Sequence, residues 1–228
     1  MPRSRRFAAV AVLALLGALA LTGCGRAQPD VAAYVGNTRY TERQLDDLVD
    51  EYGKARPEAR PAEPRPVALI NLIIRDLARR AGEEHGIEIE PGPAEYNEIA
   101  RATGLPADSK LVRMLTEVSA AVEALTASAE ATAPTEDDVR EIWDVLRRDP
   151  AFDPDVTYER VAELLRSNPA SAAAAFGTRK LLREQAAKTE VVVNPVYRPL
   201  IAYARFGDTQ IPMLLGEDAD FVADVASG

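Results

Sequence analysis

The chain has 228 residues, with 36 acidic against 27 basic side chains and a formal net charge of −9 at pH 7. An acidic surface of this kind repels nucleic acid and anionic lipid headgroups, so we expect no nucleic-acid role and no membrane attachment through basic residues. Cys24 is the only cysteine, which excludes an internal disulfide.

The N-terminus has the regions of an export signal. Arg3, Arg5 and Arg6 form a positive start. An apolar stretch of 15 residues follows, from Phe7 to Leu21. As a helix it would reach about 22 Å, which is shorter than the roughly 30 Å of a hydrocarbon core, so it is too short to remain as a span. We therefore predict a cleaved signal peptide over residues 1–23.

The signal ends in Leu21, Thr22, Gly23 and Cys24, a pattern that resembles the lipobox of bacterial lipoproteins. In that family the cysteine thiol takes a diacylglyceryl group and the chain is cut just before it. The resemblance implies cleavage between Gly23 and Cys24, and a lipid on Cys24 that anchors the protein to the membrane. The mature chain would carry 24 basic against 36 acidic residues, a net charge of −12. The alternative is an ordinary signal peptide with a chance cysteine behind it.

A tether of residues 24–30 precedes a predicted β-hairpin and a predicted helix. The hairpin comprises strands over 31–35 and 38–40 with a turn at Gly36 and Asn37. Thr41, with Gln44 three residues later, predicts the capped start of an amphipathic helix. Four prolines between Lys54 and Val67 predict an exposed connector.

The remaining pattern is mainly helical and ends in a short strand. Helices are predicted over about 67–85, 95–102, 108–129, from Thr135 onward, 158–166 and 169–188, and a strand over 191–193. A lone late strand needs a partner, and the early hairpin is the obvious one. We therefore predict a mainly α fold over residues 31–195, in which the chain ends meet in a small sheet. Residues 196–228 are mixed in character and are expected to form a weakly ordered extension.

The segments that carry a family resemblance are Tyr34–Thr41 with Gln44–Asp46, Glu84–Ile89, Pro134–Val139 and Val191–Pro195. Their content and order resemble the N-terminal domain of SurA-type periplasmic chaperones, shared in outline with PrsA-type foldases and trigger-factor-like proteins. In that family a helical domain, completed by a later helix and strand, makes an apolar cradle for unfolded clients. Many members insert a parvulin isomerase domain, but here only residues 151–169 occupy that place. A domain needs roughly 100 residues, so isomerase activity is not expected.

The side chains offer no recognisable catalytic or metal-binding set. His85 is the only histidine, and at a helix C-terminus it is expected to lie exposed or near the last carbonyls. Asp149, Asp153 and Asp155 suggest calcium, but the loop lacks the central glycine and has Arg160 where a bidentate glutamate is needed. We expect no enzyme activity, no metal and no cofactor.

Two functions remain open. The resemblance implies a lipid-anchored, extracytoplasmic chaperone that holds unfolded exported proteins without ATP. The alternative is a docking lipoprotein that binds one folded envelope partner. A client cradle would need exposed apolar residues, and Tyr96, Leu105 and Met114, which lie beside the main apolar stripes, are the candidate contacts.

Overall fold

The computed structural model describes residues 30–55, 64–149, 152–206 and 209–216, and within these ranges the fold is mainly helical with a small antiparallel sheet, as predicted. The helices are α1 (Glu42–Ala55), α2 (Pro64–His85), α3 (Pro93–Thr103), α4 (Lys110–Ser128), α5 (Glu136–Leu146), α6 (Tyr158–Ser167) and α7 (Pro169–Lys188). The strands are β1 (Val31–Val35), β2 (Thr38–Thr41), β3 (Val191–Val193), β4 (Leu200–Phe206) and β5 (Thr209–Leu215).

The two ends of the predicted domain meet in a three-stranded sheet of order β2-β1-β3, with both pairs antiparallel. Gly36 has φ +56°, a left-handed conformation that suits the two-residue turn between β1 and β2. Its backbone N–H also donates to the Glu190 carbonyl at 2.8 Å, which ties the turn to the start of β3. The predicted pairing of the early hairpin with the late strand is confirmed.

The helix α2 is the centre of the apolar core. Its residues Leu69, Ile73 and Leu77 are fully buried, and it packs against both α4 and α7. The helix begins at Pro64, three residues before the predicted start, because proline is tolerated in the first turn, where the backbone N–H has no helical partner. Most of the predicted proline-rich connector, residues 56–63, lies outside the described residues.

Two predicted helix starts are confirmed by their caps. The Thr41 backbone N–H donates to Gln44 Oε1 at 2.8 Å, at the start of α1. At the start of α5, the Thr135 backbone N–H donates to Asp138 Oδ2 at 2.9 Å and the Asp138 N–H donates to Thr135 Oγ1 at 3.1 Å. This reciprocal pair satisfies donors that the first helical turn leaves unpaired.

The segment after Pro195 differs from the expected weakly ordered extension. A 3-10 turn (Pro195–Tyr197) leads into the antiparallel hairpin of β4 and β5. Leu200 and Leu215 are almost fully buried, and the hairpin packs against α2, α5 and α7. These two leucines are paired at the open end of the hairpin, where their burial favours its packing on the helical body. Residues 217–228 lie outside the described residues.

Candidate functional site

A cleft of about 510 Å³ opens between β2, α2, α3 and α4. This volume lies in the range of roughly 300–1,000 Å³ that is usual for binding sites. Its walls carry charged groups of both signs and an aromatic ring, and they include Thr38, Tyr40, Arg75, Arg79, Tyr96 and Glu117. Strand β2, helix α2 and the region of α3 and α4 each contribute part of the wall, so only the folded chain assembles the cleft.

Two arginines on α2 give the cleft its cationic side. Arg75 and Arg79 are one helical turn apart and therefore share a face of the helix. Arg75 Nη1 donates to Glu117 Oε2 on α4 at 3.2 Å, which fixes its guanidinium across the cleft. Arg79 Nε lies 3.7 Å from Glu83 Oε1, and both side chains are about two-thirds exposed. Arg79 is therefore loosely held and can exchange this surface pair for an anionic group of a partner.

The floor of the cleft contains a buried carboxylate, Asp76, whose residue is 5% exposed. Arg80 Nε donates to Asp76 Oδ1 at 3.1 Å, and the Tyr40 hydroxyl lies 3.4 Å from Asp76 Oδ2 and 3.2 Å from the Leu72 carbonyl. The other side of the Arg80 guanidinium donates to Thr38 Oγ1 at 3.3 Å. These contacts tie the hairpin to α2 and satisfy the buried charge, so Asp76 has a structural role.

The alkaline limb of the stability curve is expected to depend on Tyr40. Burial raises the pKa of the Tyr40 hydroxyl above its ordinary value of 10.0, and the Asp76 carboxylate raises it further, against the opposing effect of Arg75. The unfolded chain ionises this tyrosine near pH 10 while the folded chain does not. The stabilisation that the Tyr40 hydroxyl contributes is therefore fully present below pH 10. It is lost as the pH rises from 10 through the folded pKa, by up to about 1.4 kcal/mol per pH unit.

Urea unfolding between pH 8 and pH 11 measures this effect. We expect the unfolding free energy of Tyr40→Phe to fall less steeply above pH 10 than that of the wild type. Burial and the neighbouring Glu42 also raise the pKa of Tyr197. We therefore expect the unfolding free energy of Tyr197→Phe, too, to fall less steeply above pH 10 than that of the wild type. Equal slopes for wild type and Tyr40→Phe would contradict the assignment.

One wall of the cleft depends on a glycine of α2. After the helix ends, the chain turns back so that the Ile87 backbone N–H donates to the Gly82 carbonyl at 2.8 Å. A Cβ at Gly82 would lie 3.2 Å from the Ile87 carbonyl oxygen and closer still to Ile89 Cδ1. The missing side chain therefore lets this segment lie on α2, where Ile89 and Pro91 line the cleft.

The three predicted client contacts do not form one surface. Tyr96 is half-buried and lines the cleft, so one of the three lies at the candidate site. Leu105 is half-buried against the core just after α3. Met114 is 2% exposed and belongs to the core, because its helical spacing places it on the same face of α4 as the buried Leu111 and Leu125. Met114 therefore cannot contact a client in this conformation.

Large apolar side chains are rarely exposed on the part of the chain that the structure describes. Among the large apolar side chains that the structure describes, those that are exposed are Val67 on α2, Leu164 on α6 and Val196 in the 3-10 turn, at 41%, 66% and 74%. They lie on three different elements and do not line the cleft. The described surface thus offers a mixed polar cleft more prominently than an apolar cradle.

The remaining sequence predictions concern anchoring and chemistry. His85 lies exposed in the last turn of α2, as expected. Across the described ranges, no group of three or more His, Cys, Asp or Glu residues could hold a metal ion. Gly23 and Cys24, with the signal peptide and most of the tether, lie outside the described residues. None of the helices described is both long and apolar enough to cross a membrane.

No protein-family model matches the sequence, and the search of curated proteins likewise finds no similar sequence. The case for a function therefore depends on the residues and their geometry.

The charge pattern of the cleft defines what it can bind. Arg75 and Arg79 stand against Asp76, Glu90 and Glu117. A surface of mixed sign attracts a ligand that carries complementary charges of both signs, whereas a uniformly charged ligand is repelled by part of it. Sequence reasoning missed the two arginines, although their one-turn spacing on the predicted core helix was a usable signal.

Proposed function

We propose that this protein is a lipid-anchored, extracytoplasmic docking protein that binds one polypeptide partner through the cleft. The observation that carries the proposal is the cleft itself, where Arg79 is loosely paired and Tyr96 is half-buried beside it. Tyrosine and arginine are the residue types that contribute most often to the centre of protein interfaces. The anchor in this proposal is a lipid on Cys24.

Fixed charge favours selective docking over general client holding. Arg75 is held by Glu117, and Asp76 by Arg80, so the charges of the cleft have set positions. A partner that placed like charges against these positions would be repelled, and this repulsion gives specificity. An unfolded client instead needs a broad apolar surface, and the exposed large apolar side chains of the described residues are few and separate.

An ATP-independent chaperone remains the second candidate, and one observation favours it. The chain ends close the helical body through pairing of β1 with β3, and the helix α7 precedes that closing strand. This is the arrangement that the SurA-type resemblance implies. Clients would then be captured by transient burial of their apolar segments, with the acidic surface keeping the complex soluble.

Binding from envelope extracts, with wild type and two matched variants, tests the proposal. Arg79→Ala removes an exposed arginine of an i,i+4 pair that lines the cleft, and Arg140→Ala removes a comparable one on α5, where Arg140 pairs with Glu136 at 3.1 Å. We expect one dominant partner that is retained by wild type and Arg140→Ala and is weakened about tenfold or more by Arg79→Ala, as for an interface arginine worth over 1 kcal/mol.

The same proteins are then mixed with a denatured model substrate. Suppression of its aggregation at near-stoichiometric ratio, with no dominant partner in the extract, would support the chaperone candidate instead. Equal partner retention by Arg79→Ala and Arg140→Ala would exclude the cleft as the docking site.

A further inference from the structure

We infer that one end of the domain, the tether pole, faces the lipid surface and places Val196 against it. The tether pole comprises Asp30, Glu42, Asp46, Arg65, Val196 and Tyr197. The inference rests on the proposed lipid anchor at Cys24 and adds to it the orientation of the whole domain.

The length of chain between anchor and domain sets the distance. Cys24 and Asp30 are six residues apart, and six residues span at most about 20 Å even when fully extended. Asp30 must then lie within about 20 Å of the lipid to which Cys24 is attached. Helix α2 is 22 residues and about 33 Å long, which is more than the tether can span. When α2 stands away from the membrane, only the end of the domain that carries Asp30 is therefore close to the lipid.

Hydrogen bonds hold the 3-10 turn beside Val31 and Ala32, the residues that follow Asp30. The Asn194 side-chain amide donates to the Val31 carbonyl at 3.0 Å, and the Asn194 backbone N–H donates to the Ala32 carbonyl at 2.9 Å. Two residues later, the Val196 N–H donates to Asn194 Oδ1 at 3.1 Å. Val196 is therefore held next to the point where the chain leaves the tether.

The starts of α1 and α2 meet at the same pole. The Glu42 backbone N–H donates to the Asp30 carbonyl at 2.9 Å, and the Tyr197 hydroxyl donates to the Glu42 carboxylate. One turn further along α1, Asp46 pairs with Arg65 in the first turn of α2. These ties join three elements into one rigid end from which α2 runs to the opposite end of the domain.

The pole combines one exposed apolar side chain with an acidic surround. Val196 is 74% exposed, the highest value among the described large apolar side chains that are exposed. Asp30, Glu42 and Asp46 bring acidic charge, so anionic headgroups would not attract the pole. The occupant that fits is the interface of a zwitterionic lipid surface, where a single apolar side chain is favourable once the tether supplies proximity.

The orientation leaves the cleft accessible. Thr38 lies at the far end of the hairpin, level with Val35, and β1 has five residues and spans about 17 Å from the pole. His85 marks the opposite end of α2, where Glu84 pairs with Lys188. A partner would therefore reach the cleft from the side, clear of the headgroups.

Fluorescence quenching on vesicles tests the orientation. Cys24 is the only cysteine, so in the lipidated full chain Val196→Cys, Leu164→Cys and His85→Cys each provide one free thiol for a dye. Leu164 is the matched control, because it is similarly exposed but lies on α6, which packs against α5 and α7. The vesicles are phosphatidylcholine with a headgroup spin label. We expect strong loss of fluorescence at position 196 and little at positions 164 and 85.

The outcomes separate the orientation from the anchor. Equal quenching at the three positions, with all proteins floating with the vesicles, overturns the orientation and leaves the anchor intact. Failure of the lipidated preparation to float overturns both. Added phosphatidylserine should not increase quenching at position 196, and an increase would show attraction by charge, which contradicts the apolar contact.

Discussion

Replacing Cys24 with alanine is expected to move the protein from the membrane fraction to the soluble fraction almost completely. One acyl chain gives only marginal membrane binding, with an association constant of about 10⁴ M⁻¹, and two or three make attachment stable. In the proposed lipoprotein, replacing Cys24 removes the site of acyl attachment. The mature net charge of −12 provides no electrostatic substitute, because acidic surfaces are repelled by anionic lipids.

Fractionation before and after a carbonate wash measures the release. Arg140→Ala is the control, since it changes an exposed side chain on α5 and should leave the distribution unchanged. Persistence of Cys24→Ala in the washed membrane fraction would exclude a lipid on this residue as the anchor, and with it the lipoprotein assignment.

Replacing Arg179 with alanine is expected to cost about 3 kcal/mol of unfolding free energy, at the lower end of the range for breaking a buried ion pair. Arg179 lies on α7 and is 3% exposed. Its Nη2 donates to Glu141 Oε1 at 2.9 Å, and its guanidinium lies 5.8 Å from the centre of the Phe176 ring. Burial lowers the pKa of Arg179, which reflects the cost of holding this charge away from water.

The magnitude is limited because the acceptors are only partly buried, so removal of Arg179 leaves them some access to water. Loss of packing against Phe176 adds to the loss of charge. A decrease of this size is a large share of the 5–15 kcal/mol by which a domain is typically stable, so the variant should unfold at markedly lower urea concentration.

Arg183→Ala is the matched control for Arg179→Ala. It lies one turn further along α7 and donates to the same carboxylate, Glu141 Oε2, at 2.7 Å, but its side chain is 49% exposed. An exposed pair contributes roughly 0–1 kcal/mol, so we expect a small loss. Equal losses for the two variants in urea unfolding would show that burial does not distinguish them and would contradict the prediction.

The parts of the fold that could be predicted are those encoded locally. Thr41 with Gln44 and Thr135 with Asp138 are helix starts because a side chain reaches a backbone N–H only three residues away. The strand over 191–193 needed a partner, and the early hairpin was the obvious one. The pairing of these segments in one sheet could therefore be predicted. These inferences need no knowledge of how the helices pack.

The parts that could not be predicted depend on packing between distant segments. Met114 is an exception, because its spacing from Leu111 and Leu125 places it on the buried face of α4, and helical periodicity could have predicted its burial. Arg179 lies on an alanine-rich helix with no clear apolar face, so its burial has no periodic signal. The cleft joins β2, α2, α3 and α4, and Tyr96 and Arg79 come together only when these elements are in place.

The pairing of β1 with β3 also sets when the molecule can finish folding. The hydrogen bond from Asn194 to the Val31 carbonyl joins residues 163 positions apart in the chain. A contact of such long range forms slowly, because closing a long loop costs entropy before the contact rewards it. During synthesis, most of the chain is made before β3, the second partner of β1, exists. The sheet is therefore expected to be completed late, after most of the helical body has been synthesised.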